Sequence, residues 1–129
     1  MAGYDLYRVD RANKVKKGGV ALYIRYDLAA ECVCLAGASL GNCEFQVLHL
    51  ERKNLVLINV YRPGVTTLEA FTQVIGEISA KMYALGTPLP TIIVMGDFNL
   101  PDIDWDRASP ITSSQARTLF NFWRSWVSK

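Results

Sequence analysis

Thr91-Ile92-Ile93-Val94-Met95-Gly96-Asp97-Phe98-Asn99 decides how the rest of the chain is read. Consecutive apolar residues, with β-branched Ile92, Ile93 and Val94 and with Pro88 and Pro90 upstream, predict a short central strand covered on both faces. The run stops at a glycine, a carboxylate and a carboxamide. An acid just past the end of a buried strand is held rigidly yet meets solvent, which suits a metal ligand or a general base.

Working upstream, Leu68, Phe71, Ile75, Ile78, Met82 and Leu85 recur at helical spacing behind the capping-box pattern Thr66-x-x-Glu69, and Gly86 and Pro88 close the helix. Before it, Glu44 to Glu51 and Leu55 to Tyr61 pair as a hairpin around Arg52-Lys53-Asn54. Strand, amphipathic helix and buried strand in that order form an α/β crossover, with the helix on one face of the sheet. Further upstream, Asp5 to Arg11 and Val20 to Tyr26 read as strands joined by a basic turn with Gly18-Gly19 where backbone must bend or approach something closely. Glu31 to Ala36 is a short strand, and Gly37 to Asn42 reads as a small-residue loop. Downstream, the chain turns acidic through Asp102, Asp104 and Asp106. A last helix from about Thr112 to Val127 carries Trp123 and Trp126 on an apolar face expected to be left exposed.

The 129 residues, half of them hydrophobic, suit one modest core, with neither a signal pattern at the N-terminus nor a run long enough to span a bilayer. The expectation is a soluble intracellular protein, nuclear or cytoplasmic, with no membrane partner. A net charge of +2 is too small to imply nucleic acid by itself, although Arg8, Arg11, Lys14, Lys16 and Lys17 gather in one stretch. Cys32, Cys34 and Cys43 beside a single histidine supply no zinc set and read as reduced, mostly buried thiols. His49, mid-strand among apolar neighbours, reads as structural, and Asp102-x-Asp104-x-Asp106 lacks the glycine and closing glutamate of a calcium loop.

Asp97 and Asn99, two residues apart, can converge on one site. A carboxylate there holds Mg²⁺ or orients a water, and an amide fixes a phosphate oxygen without adding charge. Asn59 and Tyr61 share one side of the neighbouring strand just before Arg62 and Pro63, and a phenol and a guanidinium at a strand end suit a phosphoryl group.

Gly96-Asp97-Phe98-Asn99 with the upstream Asn59-Val60-Tyr61-Arg62-Pro63 resembles the endonuclease/exonuclease/phosphatase superfamily of DNase I-like enzymes. The longer Gly96 to Trp105 string, with Tyr4 to Arg11 and Gly18 to Ile24, is most similar to the endonuclease domain of non-LTR retrotransposon polyproteins. That resemblance implies a DNase I-like four-layer α/β sandwich, here partial, of mixed, mostly antiparallel sheets with flanking helices. It also implies a Mg²⁺-dependent (or Mn²⁺-dependent) phosphodiesterase that nicks DNA to prime reverse transcription, with the rest of the polyprotein as a partner. By the same resemblance Asp97 orients or activates the attacking water and is a partial or indirect metal ligand, Asn99 binds the scissile phosphate, and Tyr61 donates to it as charge builds. Arg62 and Asn59, with Arg8, Arg11, Lys14, Lys16 and Lys17, would contact substrate, the cations as positioning groups on the DNA backbone.

The family's metal-binding glutamate belongs upstream of a segment like Tyr4 to Arg11, and its closing Asp-His pair belongs downstream of a helix like Ser114 to Val127. Neither is matched here, so the expectation is the central portion of one such domain, with weak or no nicking alone. The alternatives are a non-catalytic remnant that binds DNA or protein and, less favoured by the basic turn, a phosphatase of the same superfamily.

Overall fold

A computed structural model describes residues 2–12 and 18–100, together with Arg117 and Asn121. The element order is β1 (Tyr4–Val9), β2 (Val20–Arg25), a one-turn helix α1 (Tyr26–Ala29), β3 (Cys32–Leu40), β4 (Cys43–Leu50), β5 (Leu55–Tyr61), α2 (Leu68–Ala84) and β6 (Thr91–Asp97). A 3-10 turn at Glu51–Lys53 joins β4 to β5, ending on Asn54 in the left-handed region. Strands β1 and β2 form an antiparallel ribbon, and β3-β4-β5-β6 form a four-stranded sheet that is antiparallel except for the β5–β6 pair. The result is a mixed α/β sandwich with two sheets and a helix on the outer face of the larger one, a partial version of the expected architecture.

Strands β4 and β5 are buried on both faces, so alternation sorts their residues between two cores. Cys43, Phe45, Val47, Val56, Ile58 and Val60 meet Phe71, Val74, Ile75, Ile78 and Met82 of α2. On the other face Leu48, with Leu57 beside it, packs against Ile24, Leu22 and Tyr7 of the ribbon and Ala29 of α1. The amphipathic helix therefore sits where its apolar spacing requires. The crossover β5–α2–β6 brings the two strands together in parallel, with Leu55 opposite Thr91 and Tyr61 opposite Asp97.

Two local readings need correction. Gly37 to Leu40 is strand, not loop: Gly37 pairs with Gln46 and Leu40 with Cys43, and the chain turns on Gly41 and Asn42 alone, both at positive φ (52° and 65°). That is the backbone of a two-residue hairpin turn, and cross-strand pairing overrides the weak strand propensity of Gly, Ala and Ser. The helix is capped by Thr67 rather than Thr66, its hydroxyl accepting from the Ala70 amide at 3.1 Å. The cysteines are free, but only Cys43 is buried; Cys34 is exposed on the edge strand β3. The acidic stretch after Pro101 and the tryptophans of the expected last helix lie outside the described residues, as do Lys14, Lys16 and Lys17. No described helix is long and apolar enough to cross a membrane.

Candidate active site

Strand β6 ends on Gly96 and Asp97, and Gly96 is the residue that allows the ending. Its φ is 131°, and a Cβ there would run into the carbonyl oxygen of Val60 on β5. Only glycine accepts both the backbone conformation and that approach. Asp97 follows in register with Tyr61, and partners on neighbouring strands share a face. The carboxylate is solvent-exposed and the phenol half-buried beside it, at the C-terminal ends of two parallel strands.

Asn99 leaves the strand direction. It sits in the left-handed region (φ 50°), a conformation that asparagine tolerates. From there its amide N–H donates to Asp97 Oδ1 at 3.1 Å, and its side-chain Nδ2 donates to the Arg62 carbonyl at 2.8 Å. One oxygen of Asp97 is thus oriented by the backbone that follows it. Asn99 and Asp97 act as one turn, with the carboxamide folded back toward the end of β5.

Arg62 closes the other side of that turn. Its backbone N–H donates to the Asp97 carbonyl at 2.8 Å, and its Nη1 donates to the carbonyls of Phe98 and Asn99 at 3.1 and 3.3 Å. The guanidinium lies over the Phe71 ring, 5.4 Å from the centroid, and the residue is only 4 % exposed. A cation reaching out to a DNA backbone is not where the fold puts it; burial in the core end of α2 directs it onto the Gly96 to Asn99 turn.

Asn59 and Arg11 also point inward. Asn59 Nδ2 donates to Gln46 Oε1 at 3.0 Å and to the Ala21 carbonyl at 3.3 Å, tying the large sheet to the ribbon. The Arg11 guanidinium pairs with Glu44, through Nη2 at 3.0 Å and Nε at 3.2 Å to Oε1. Gly18 adopts φ 111°, a conformation that favours glycine, and a Cβ there would also strike this guanidinium. Among the described residues of the basic stretch, Arg8 is exposed, and it is paired with Asp10 at 3.2 Å.

Glu44 and Gln46 escaped the sequence reading, although a signal was available. In Cys43-Glu44-Phe45-Gln46-Val47-Leu48 the alternate residues include Leu48, so the second face of β4 is a buried face too. A carboxylate on a buried face needs a cation. Across the strands, the register sets Glu44, Tyr61 and Asp97 in one row and Gln46, Asn59 and Met95 in the next. Among the described residues no cluster of three or more His, Cys, Asp or Glu is placed to hold a metal ion. Desolvation, with the Glu44 carboxylate adding to it, pushes the Cys43 thiol up to about 12, which makes it an inert core group.

Compared with known proteins, residues 55–125 match the model of a family described as endonuclease-reverse transcriptase, and the matched stretch carries β5, α2 and β6 with Tyr61, Arg62, Asp97 and Asn99. The chain belongs to this family, within the endonuclease/exonuclease/phosphatase superfamily, and is an endonuclease-type domain related to those of retrotransposons. No curated protein and no solved structure matches it.

Proposed function

We propose that this chain hydrolyses phosphodiester bonds in DNA with Mg²⁺ (or Mn²⁺), as the nicking endonuclease portion of a non-LTR retrotransposon polyprotein. The observation that carries this reading is the pairing of Tyr61 with Asp97 on one face, at the ends of two parallel strands. Open α/β sheets bind ligands at that end.

Asp97 is an exposed carboxylate at this edge, with Oδ1 already oriented by the Asn99 amide. A magnesium ion is held by one or two carboxylates with substrate phosphate and water completing its shell, so a single Asp97 suits a partial ligand rather than a cage. When bound, the ion would polarise a phosphoryl oxygen and offset its developing charge. Asp97 orients the attacking water. Asn99, with one amide hydrogen on the Arg62 carbonyl, keeps the second for a phosphate oxygen. Tyr61 donates its phenolic hydrogen to the phosphate as negative charge grows in the transition state.

The test is nicking of supercoiled plasmid with Mg²⁺. The chain should convert it slowly to the open circle, and Asp97→Ala should reduce the rate by on the order of 10² or more. Equal nicking by Asp97→Ala would refute the assignment. Tight DNA binding with no nicking under any metal would favour the non-catalytic reading instead.

A further inference from the structure

Glu44 is fully buried and carries four donors: Arg11 Nε and Nη2, the Gly19 amide at 2.7 Å and Ser39 Oγ at 2.9 Å. Arg11 in turn gives Nη2 to the Asn42 carbonyl at 3.1 Å, and its side chain is 12 % exposed. With three fixed acceptors at one edge, the guanidinium has little freedom to rotate. Its carbon lies 5.7 Å from the centroid of the Tyr61 ring, within cation–π range. Glu44 and Tyr61 are themselves cross-strand partners, so carboxylate, guanidinium and phenol form a closed triangle over the end of β4 and β5.

We propose that Glu44 and Arg11 are positioning residues for Tyr61: the buried carboxylate fixes the guanidinium, and the guanidinium fixes the phenol ring beside Asp97. A tyrosine that ends a strand would otherwise swing between rotamers, because its outer side faces solvent. Guanidinium suits this task better than an ammonium, since a planar fork can hold both carboxylate oxygens and still present a face to the ring. Both residues act through Tyr61, and neither is asked to touch substrate. The proposal rests on the phosphodiesterase reading only for its consequence in catalysis.

Removing one partner alone strands a buried charge, which is strongly destabilising. The double variant Glu44→Gln with Arg11→Met removes both charges together and is the informative protein. By NMR without DNA, its backbone spectrum should show the same fold, while the Tyr61 ring resonances move toward their free-tyrosine positions and its χ1 coupling becomes an average over rotamers. Tyr4, Tyr23 and Tyr26, exposed elsewhere, should not move. Arg11→Lys, which keeps the charge and loses the fork, should give a partial version of the same change. In the nicking assay the double variant should lose about tenfold in kcat with KM changed by less than twofold. Unchanged Tyr61 rotamer and shifts in a folded double variant would overturn the proposal, and so would a loss confined to KM. Failure of the parent chain to nick would count against the phosphodiesterase reading, and the ring measurement would then decide the positioning by itself.

Discussion

Replacing Arg62 by methionine tests how the turn that carries Asp97 is held. Methionine keeps the unbranched stem, so packing on Phe71 is largely preserved, and the loss is confined to the guanidinium. Among the described residues, the carbonyls of Phe98 and Asn99 lose their side-chain donor. Asn99 is exposed and its carbonyl rehydrates at little penalty, whereas Phe98 is half-buried and should lose about 1–2 kcal/mol. Loss of the cation–π contact adds about 1 kcal/mol, and relief from burying a charge returns part of the total. A net destabilisation of about 2 kcal/mol follows. At roughly 2.1 cal/mol/K per residue, this chain of 129 residues should then melt about 7 °C lower. Arg62→Lys should be at least as damaging, because a compact, strongly hydrated ammonium is buried there without the planar face that lies over Phe71. Calorimetry gives the melting shift, and amide hydrogen exchange gives the local effect, where the Asn99 N–H that donates to Asp97 should exchange faster in the variant. A methionine variant that melts within about 2 °C of the parent, with Asn99 protection intact, would refute this account of the turn.

Three further outcomes follow from the fold. Thr67→Ala removes the hydroxyl that caps α2 and should destabilise the protein by about 1 kcal/mol in urea unfolding, whereas Thr66→Ala should leave the cap bond untouched. At pH 8 a thiol reagent should modify the exposed Cys34 quickly and spare Cys43 until the chain unfolds. The folded Cys43 keeps its proton up to about 12 against an ordinary value of 9.0, so between these values the unfolded chain binds fewer protons and stability falls as pH rises. Cys43→Ala should flatten that alkaline slope by one proton's worth in denaturation series from pH 8 to pH 11.

The β5–α2–β6 crossover was legible because its two strands and helix differ in hydrophobic period and are punctuated by Pro and Gly. Its cap was misplaced by one residue because Thr66 and Thr67 both carry a hydroxyl, and only the backbone decides which one reaches the helix amides. The continuation of β3 through Gly37 to Leu40 was not legible, since those small residues gain their strand conformation from pairing with β4. For the site, Tyr61 and Asp97 could be set together because both end strands that the crossover makes neighbours. The cations could not be sorted. Sequence gives the charge of Arg11, Arg62 and Asn59's amide dipole but not the direction in which each points, and all three turn inward to partners far away in the chain.

Those inward turns have a common location. The face of the large sheet that meets the ribbon is apolar at one end, with Leu48 and Leu57 against Ile24 and Leu22, and polar at the other, with Glu44, Gln46 and Asn59. Buried ion pairs and amides add little to stability beyond what apolar residues of the same volume would supply. The polar end is therefore poorly explained as a device for holding the two sheets together. It is better explained by orientation: hydrogen bonds fix distance and angle where apolar contacts permit sliding, and the bonds from Asn59 to Ala21 and from Gly19 to Glu44 fix the ribbon against the sheet. They do so next to Tyr61 and Asp97, where a small displacement of the phenol or carboxylate would matter most to a reacting phosphate.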